Sequence, residues 1–171
     1  MLSRWLSPGL AWRLALLVCV LFVSACGGSS REQLLTLELD GKPLVFNARL
    51  SANDPPAEAT VHFVTVGGHL DDDPASPGFM FQLVSPNARP GTYRSAADEL
   101  HATYYVQTPG GTTTYTADGQ YGSSFTMTVT ALDADGVQGT FAGVLRLNGS
   151  GEKGPFLKVS NGRFSADYNG H

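Results

Sequence analysis

The sequence predicts an all-β domain, an antiparallel β-sandwich of about nine strands, with a closed β-barrel as the alternative arrangement. Three observations lead there. Apolar residues recur at every second position in most segments between residues 34 and 168, the period of a strand with one buried face. Clusters of Gly, Pro, Asn and Asp break these segments at short intervals, as hairpin turns require. Beyond residue 30, no apolar stripe of helical period runs for three turns.

Before that domain comes a leader. Arg4 and Arg13 are basic, and no acidic residue precedes Glu32. Leu14 to Val23 reads LALLVCVLFV, ten apolar positions. This is the length of an exported leader's apolar core and short of the roughly 20 residues that span a bilayer. Residues 1–25 are therefore expected to be a helical signal peptide. The closing Val23-Ser24-Ala25-Cys26 resembles the lipobox of bacterial lipoproteins. That resemblance implies cleavage before Cys26 and a diacylglycerol on its thiol. Two or three acyl chains on one residue hold a protein stably, where one chain binds only marginally. Residues 26–33 are then the lipidated Cys and a flexible Gly/Ser spacer. Position 27 is Gly, whereas an Asp there resembles an inner-membrane retention signal. The expectation is a periplasm-facing outer-membrane lipoprotein, with surface exposure left open.

The domain itself spans residues 34–171. Leu35, Leu37 and Leu39 alternate with polar residues, Asp40-Gly41 interrupts, and Leu44, Phe46, Ala48 and Leu50 alternate again. Asp-Gly between two alternating runs is the strongest local hairpin signal. Asn53-Asp54-Pro55-Pro56 ends the second run, since proline cannot donate to a ladder. Residues 60–67 are β-branched and aromatic, and read as a third strand. A polar loop from Gly67 to Gly78 follows, then FMFQLV at 79–84, continuous enough to predict burial on both faces. Gly91-Thr92-Tyr93 starts a short extended piece. Leu100 to Thr108 and Thr112 to Thr116 form a hairpin across Pro109-Gly110-Gly111. Phe125, Met127 and Val129 share one face opposite Thr126, Thr128 and Thr130, and Val137, Gly139, Phe141, Gly143, Leu145 and Leu147 occupy every second position of the return strand. In the last strand, from Phe156 to Tyr168, the alternation changes phase at Asn161-Gly162, which predicts a bulge.

The succession DGKPLVFNA, PGTY, SFTMTVTALD, VQGTFAGVL and VSNGRFSADY resembles a family of small secreted lipoproteins of unknown function, common in Bacteroidetes. The likeness covers most of residues 34–168 and departs at the aspartate loop. It implies a β-rich fold and no particular activity.

Charge and cysteine content narrow the function. With 11 basic and 15 acidic residues the chain carries −4, and losing Arg4 and Arg13 with the leader takes the mature charge to −6. No basic stripe interleaved with aromatics is present, so no nucleic-acid partner is expected. Cys19 leaves with the leader and Cys26 is taken by lipid, so no disulfide or free thiol is expected. No cofactor is expected either. Asp71, Asp72 and Asp73 are a weak calcium candidate without the full loop spacing of an EF-hand, and Asp133-Ala134-Asp135-Gly136 reads as a turn. His62, His69 and His101 lack any paired metal-ligand spacing. Asp98-Glu99 could serve as an acid–base pair only in a dry cleft, and no G-x-S-x-G elbow occurs. Tyr93, Tyr104, Tyr105, Tyr115 and Tyr121 are the candidate binding residues, because aromatic faces on a sheet stack on sugars or proteins. Strand alternation puts Tyr104 and Tyr105 on opposite faces. The chain is thus expected to be a non-enzymatic envelope interaction or binding module, taking an envelope protein or a glycan. The alternatives are a calycin-like barrel carrying a small apolar ligand, and a hydrolase.

Overall fold

The computed structural model describes residues 31–53, 62–86 and 88–168, except for the side chains of His62 and Phe63. The leader, Cys26, the spacer through residue 30 and Pro55-Pro56 lie outside the described residues. Strand β1 (Leu34–Leu39) turns through Asp40-Gly41 into β2 (Lys42–Val45), with Leu39 paired to Lys42. Asp40 and Gly41 have φ of 49° and 80°, the left-handed pair that a two-residue hairpin turn needs.

The alternating run expected to continue to Leu50 breaks at Phe46-Asn47. Asn47 Oδ1 accepts the Leu35 N–H at 2.8 Å, and the Phe46 N–H donates to Leu35 O at 2.7 Å. A side-chain amide thus replaces the next ladder bond, Phe46 is driven into the core, and the chain departs as a new strand. That strand, β3 (Ala48–Asn53), pairs with β4 (His62–His69) rather than with β1. The remaining strands are β5 (Gly78–Ser85), β6 (Gly91–Arg94), β7 (Glu99–Thr108), β8 (Gly111–Ala117), β9 (Ser124–Leu132), β10 (Gly136–Leu147) and β11 (Phe156–Asp167). The split run and the short β6 raise the count from about nine to eleven among the described residues. No α-helix occurs among the described residues, only a 3₁₀ turn at Gly151–Lys153.

Every ladder is antiparallel, in the order β2-β1-β11-β10-β8-β7-β5-β4-β3, with β9 also on β10 and β6 on β9. Strand β10 is where the sheet divides. It pairs with β9 as far as Val144 and with β8 at Arg146 and Leu147. Two layers result, and aromatic rings join them. Phe79 and Phe81 of β5 meet Phe125, Phe141 and Phe164 of β9, β10 and β11, with ring centroids 4.8 to 6.4 Å apart. At the other margin the layers touch, among the described residues, through one parallel bridge, Ala52 to Tyr168. One bridge is not a ladder, so the sheet is a sandwich and does not close into the barrel considered from sequence.

Alternation assigned most faces correctly. Phe125, Met127, Val129, Phe141 and Leu145 are buried together, while Thr128 is turned outward and its Oγ1 meets Thr92 Oγ1 at 3.0 Å. The bulge in β11 falls at Asn161-Gly162, where Thr36 pairs with Arg163 but Glu38 with Ser160. The expectation for residues 79–84 needs correction. Phe79, Phe81 and Leu83 are buried, but Met80 is 37 % exposed and Gln82 half-buried. This strand lies in mid-layer with one wet face, on which an exposed apolar side chain is ordinary.

Candidate functional site: a side-chain gap on the outer face of the β3–β4–β5–β7 layer

Strand parity sends Ser51, Asn53, Thr65, His69, Met80, Gln82, His101, Thr103 and Tyr105 to the outer face of this layer. One row across it reads His69, Gly78, Tyr105 from β4 through β5 to β7. A Cβ on Gly78 would overlap the Tyr105 ring. Its absence lets that ring lie across β5 and reach the imidazole, with Tyr105 Oη 3.1 Å from His69 Nε2 and the rings edge to face at 5.8 Å. His69 Nδ1 lies 3.3 Å from Ser76 O, so both ring nitrogens are engaged and the imidazole is held in one orientation.

The next row reads Ser51, Gly67, Met80. Gly67 carries no side chain where its neighbours do, and its Cβ would sit 3.1 Å from Met80 Cβ. The missing side chain is the floor of a depression of about 220 Å³. Arg49, Ser51, Asn53, Thr65, His69, Met80 and Tyr105 surround it. Behind the floor, a Cβ on Gly68 would overlap Phe46 O, so the kink that separates β2 from β3 is packed directly against this strand. Arg49 stands at the rim with φ of 52°, a left-handed conformation that side-chain-bearing residues adopt at a cost. It sits in the irregular stretch of β3 between Ala48 and Ser51, and its Nη2 donates to Asp72 O at 2.8 Å.

The five tyrosines do not share a face. Tyr104 and Tyr115 turn inward as a pair 6.4 Å apart, Tyr104 meeting Phe46 edge-on. Burial, with Tyr115 beside it, pushes the Tyr104 hydroxyl above the usual range. Tyr93 is half-buried on β6, its hydroxyl bonded to Arg89 O at 2.8 Å. Tyr121 is exposed in the β8–β9 loop, its ring 5.0 Å from the Arg146 guanidinium. Only Tyr105 borders the depression.

The other sequence candidates fall apart in space. Asp71, Asp72 and Asp73 are exposed, and the first and last accept N–H bonds from Asp73 and Ala75 at 2.9 Å. His101 is exposed on β7, and the side chain of His62 lies outside the described residues. Asp98 Oδ2 takes the Arg94 N–H at 2.7 Å. Among the described residues no group of three His, Cys, Asp or Glu is arranged to hold a metal. Asp133 binds its own turn through the Asp135 N–H at 3.0 Å, and Arg31 reaches it at 2.7 Å. The Asp135 N–H and the guanidinium hold its carboxyl below the usual range, against some desolvation. Desolvation also opposes charge on Asp118, but bonds from the Gln120 N–H and Ser123 Oγ, with Arg146 nearby, outweigh it and lower its pKa.

A larger open groove of about 450 Å³ follows β10 and β11 beside Arg31, Gln138, Thr140 and Arg163. Its half-buried cation, Arg31, is already paired with Asp133 and, at 3.9 Å, with Asp167. The smaller depression has the more distinctive chemistry. Arg49, Gly67 and Ser51 were not foreseen from sequence. The available signal was Gly67-Gly68 inside a β-branched run, a pattern that marks close backbone approach.

Comparison with protein-family models, with curated proteins and with solved structures finds no match for this chain.

Proposed function

We propose that this chain is a lipid-anchored, non-enzymatic binding module of the bacterial envelope, held through Cys26 at the outer membrane and facing the periplasm. The observation that carries the binding reading is the gap at Gly67. A rigid sheet presents hydroxyls, an amide, a guanidinium and an aromatic edge around one missing side chain. Ring-sized hollows with a few converging polar groups are how small ligands are oriented, and a glycan is the partner this chemistry favours. The apolar-carrier alternative needs interior space, which the Phe79, Phe81, Phe125, Phe141 and Phe164 rings occupy. A hydrolase reading centred on His69 would have a tyrosine hydroxyl, Tyr105 Oη, as the group bonded to its ring, and a backbone carbonyl, Ser76 O, rather than a carboxylate on the other nitrogen.

The anchor reading rests on the leader pattern and the lipobox resemblance. Metabolic labelling with a palmitate analogue tests it. The wild-type chain is expected to take label and Cys26→Ser to take none; label retained on the variant refutes the anchor. Titration calorimetry with monosaccharides, comparing wild type with a Gly67→Leu plug, tests the binding reading. Sugar binding that the plug leaves unchanged would move the site elsewhere.

A further inference from the structure

We infer that the depression takes a small hydroxylated anion of the sugar-acid class, its negative group on Arg49 and its hydroxyls on Ser51, Asn53 and Thr65. The inference rests on the binding reading above and adds the ligand's charge. Three observations carry it.

First, the lining of the depression carries one positive charge and no negative one, the carboxylates of Asp71, Asp72 and Asp73 belonging to the exposed loop beyond its rim. Among the described residues Arg49 enters no ion pair. The neighbouring Asp72 offers it a backbone carbonyl, which takes one of the five guanidinium N–H donors. The remaining fork geometry suits a carboxylate or phosphate.

Second, Arg49 is held there at a conformational cost. Among the described residues, four other than glycine have positive φ: Asp40, Arg49, Tyr121 and Asn161. Asp40 forms a hairpin turn and Asn161 a bulge, both residue types that tolerate this region. Arg49 and Tyr121 have no such tolerance, and of the two it is Arg49 that borders the depression, the pattern of a positioned functional group.

Third, apart from the His69–Tyr105 pair, the other polar lining groups are uncharged, two hydroxyls and one amide. Ser51, Asn53 and Thr65 stand on adjacent strands around Gly67. Met80 and the Tyr105 ring supply the apolar contact that the carbon face of a sugar ring needs. Tyr105 is fixed by His69, which limits the entropy lost on binding.

Titration calorimetry on the full chain in detergent, with glucuronate, glucose 6-phosphate and glucose as probes, tests the inference. The expected result is that at least one of the two anions binds about tenfold or more tightly than glucose. Arg49→Gln should bring the anions down to the glucose level, and Arg49→Lys should restore part of the difference. Circular dichroism melts of both variants should match the wild type within a few degrees. Equal affinity for glucose and both anions, or anion binding indifferent to Arg49→Gln, overturns the sugar-acid assignment and leaves the binding module standing. Binding of none of the three overturns both readings.

Discussion

Replacing Phe141 by alanine tests the sandwich where its two layers meet. The ring is 4 % exposed. It stacks on Phe79 at 5.3 Å and 12°, and lies 5.4 Å from Phe81 and 5.5 Å from Phe125. It also covers Gly162, where a Cβ would overlap it, so a neighbouring side chain is not available to refill the space. Loss of a buried phenylalanine to alanine costs about 3–5 kcal/mol through lost transfer energy and a residual cavity. The aromatic contacts place this site in the upper half of that range. Thr128→Ala, on the other face of the adjacent strand, removes one hydroxyl contact to Thr92 and should cost under about 1 kcal/mol. Urea melts of both variants, fitted with a common slope, measure the contrast. Equal losses, or a loss below about 1.5 kcal/mol for Phe141→Ala, would mean that the rings do not join the layers as described.

Two further outcomes follow from the backbone and from charge. Arg49→Gly should be more stable than Arg49→Ala by about 0.5–1 kcal/mol, because both lose the bond to Asp72 O and only glycine relieves the left-handed strain, by more than its extra freedom in the unfolded chain costs. Thermal melts should separate the two variants by about 1–4 °C, and an Arg49→Ala at least as stable as Arg49→Gly would remove strain from the account of Arg49. The carboxyl of Asp133 is held low in the fold by the Asp135 N–H and Arg31. Its stabilising share is therefore complete above the unfolded value of about 3.9 and fades as pH falls through the lower folded value. The melting-temperature gap between wild type and Asp133→Asn should be steady near pH 6 and shrink below about pH 4; a gap constant down to pH 2 contradicts this.

Period-two alternation contains the strands, because a side chain's face depends only on its own position once one face is known to be buried. Hence Phe125, Met127 and Val129 could be separated from Thr126, Thr128 and Thr130 without coordinates, and Tyr104 from Tyr105. Turn chemistry is equally local, so Asp40-Gly41 and the bulge at Asn161-Gly162 were also readable. Three features were not, each for a non-local reason. The run from Leu44 to Leu50 splits because Asn47 binds Leu35, twelve residues away, in competition with a ladder that the pattern alone would continue. Whether the layers close depends on a meeting of β3 with the end of the chain past β11, which among the described residues amounts to the bridge between Ala52 and Tyr168. The depression takes its lining from β3, β4, β5 and β7, and Gly67 becomes a floor only when register sets Ser51 on one side and Met80 on the other. Such a site is an absence surrounded by distant residues, and an absence has no motif until the strands are paired.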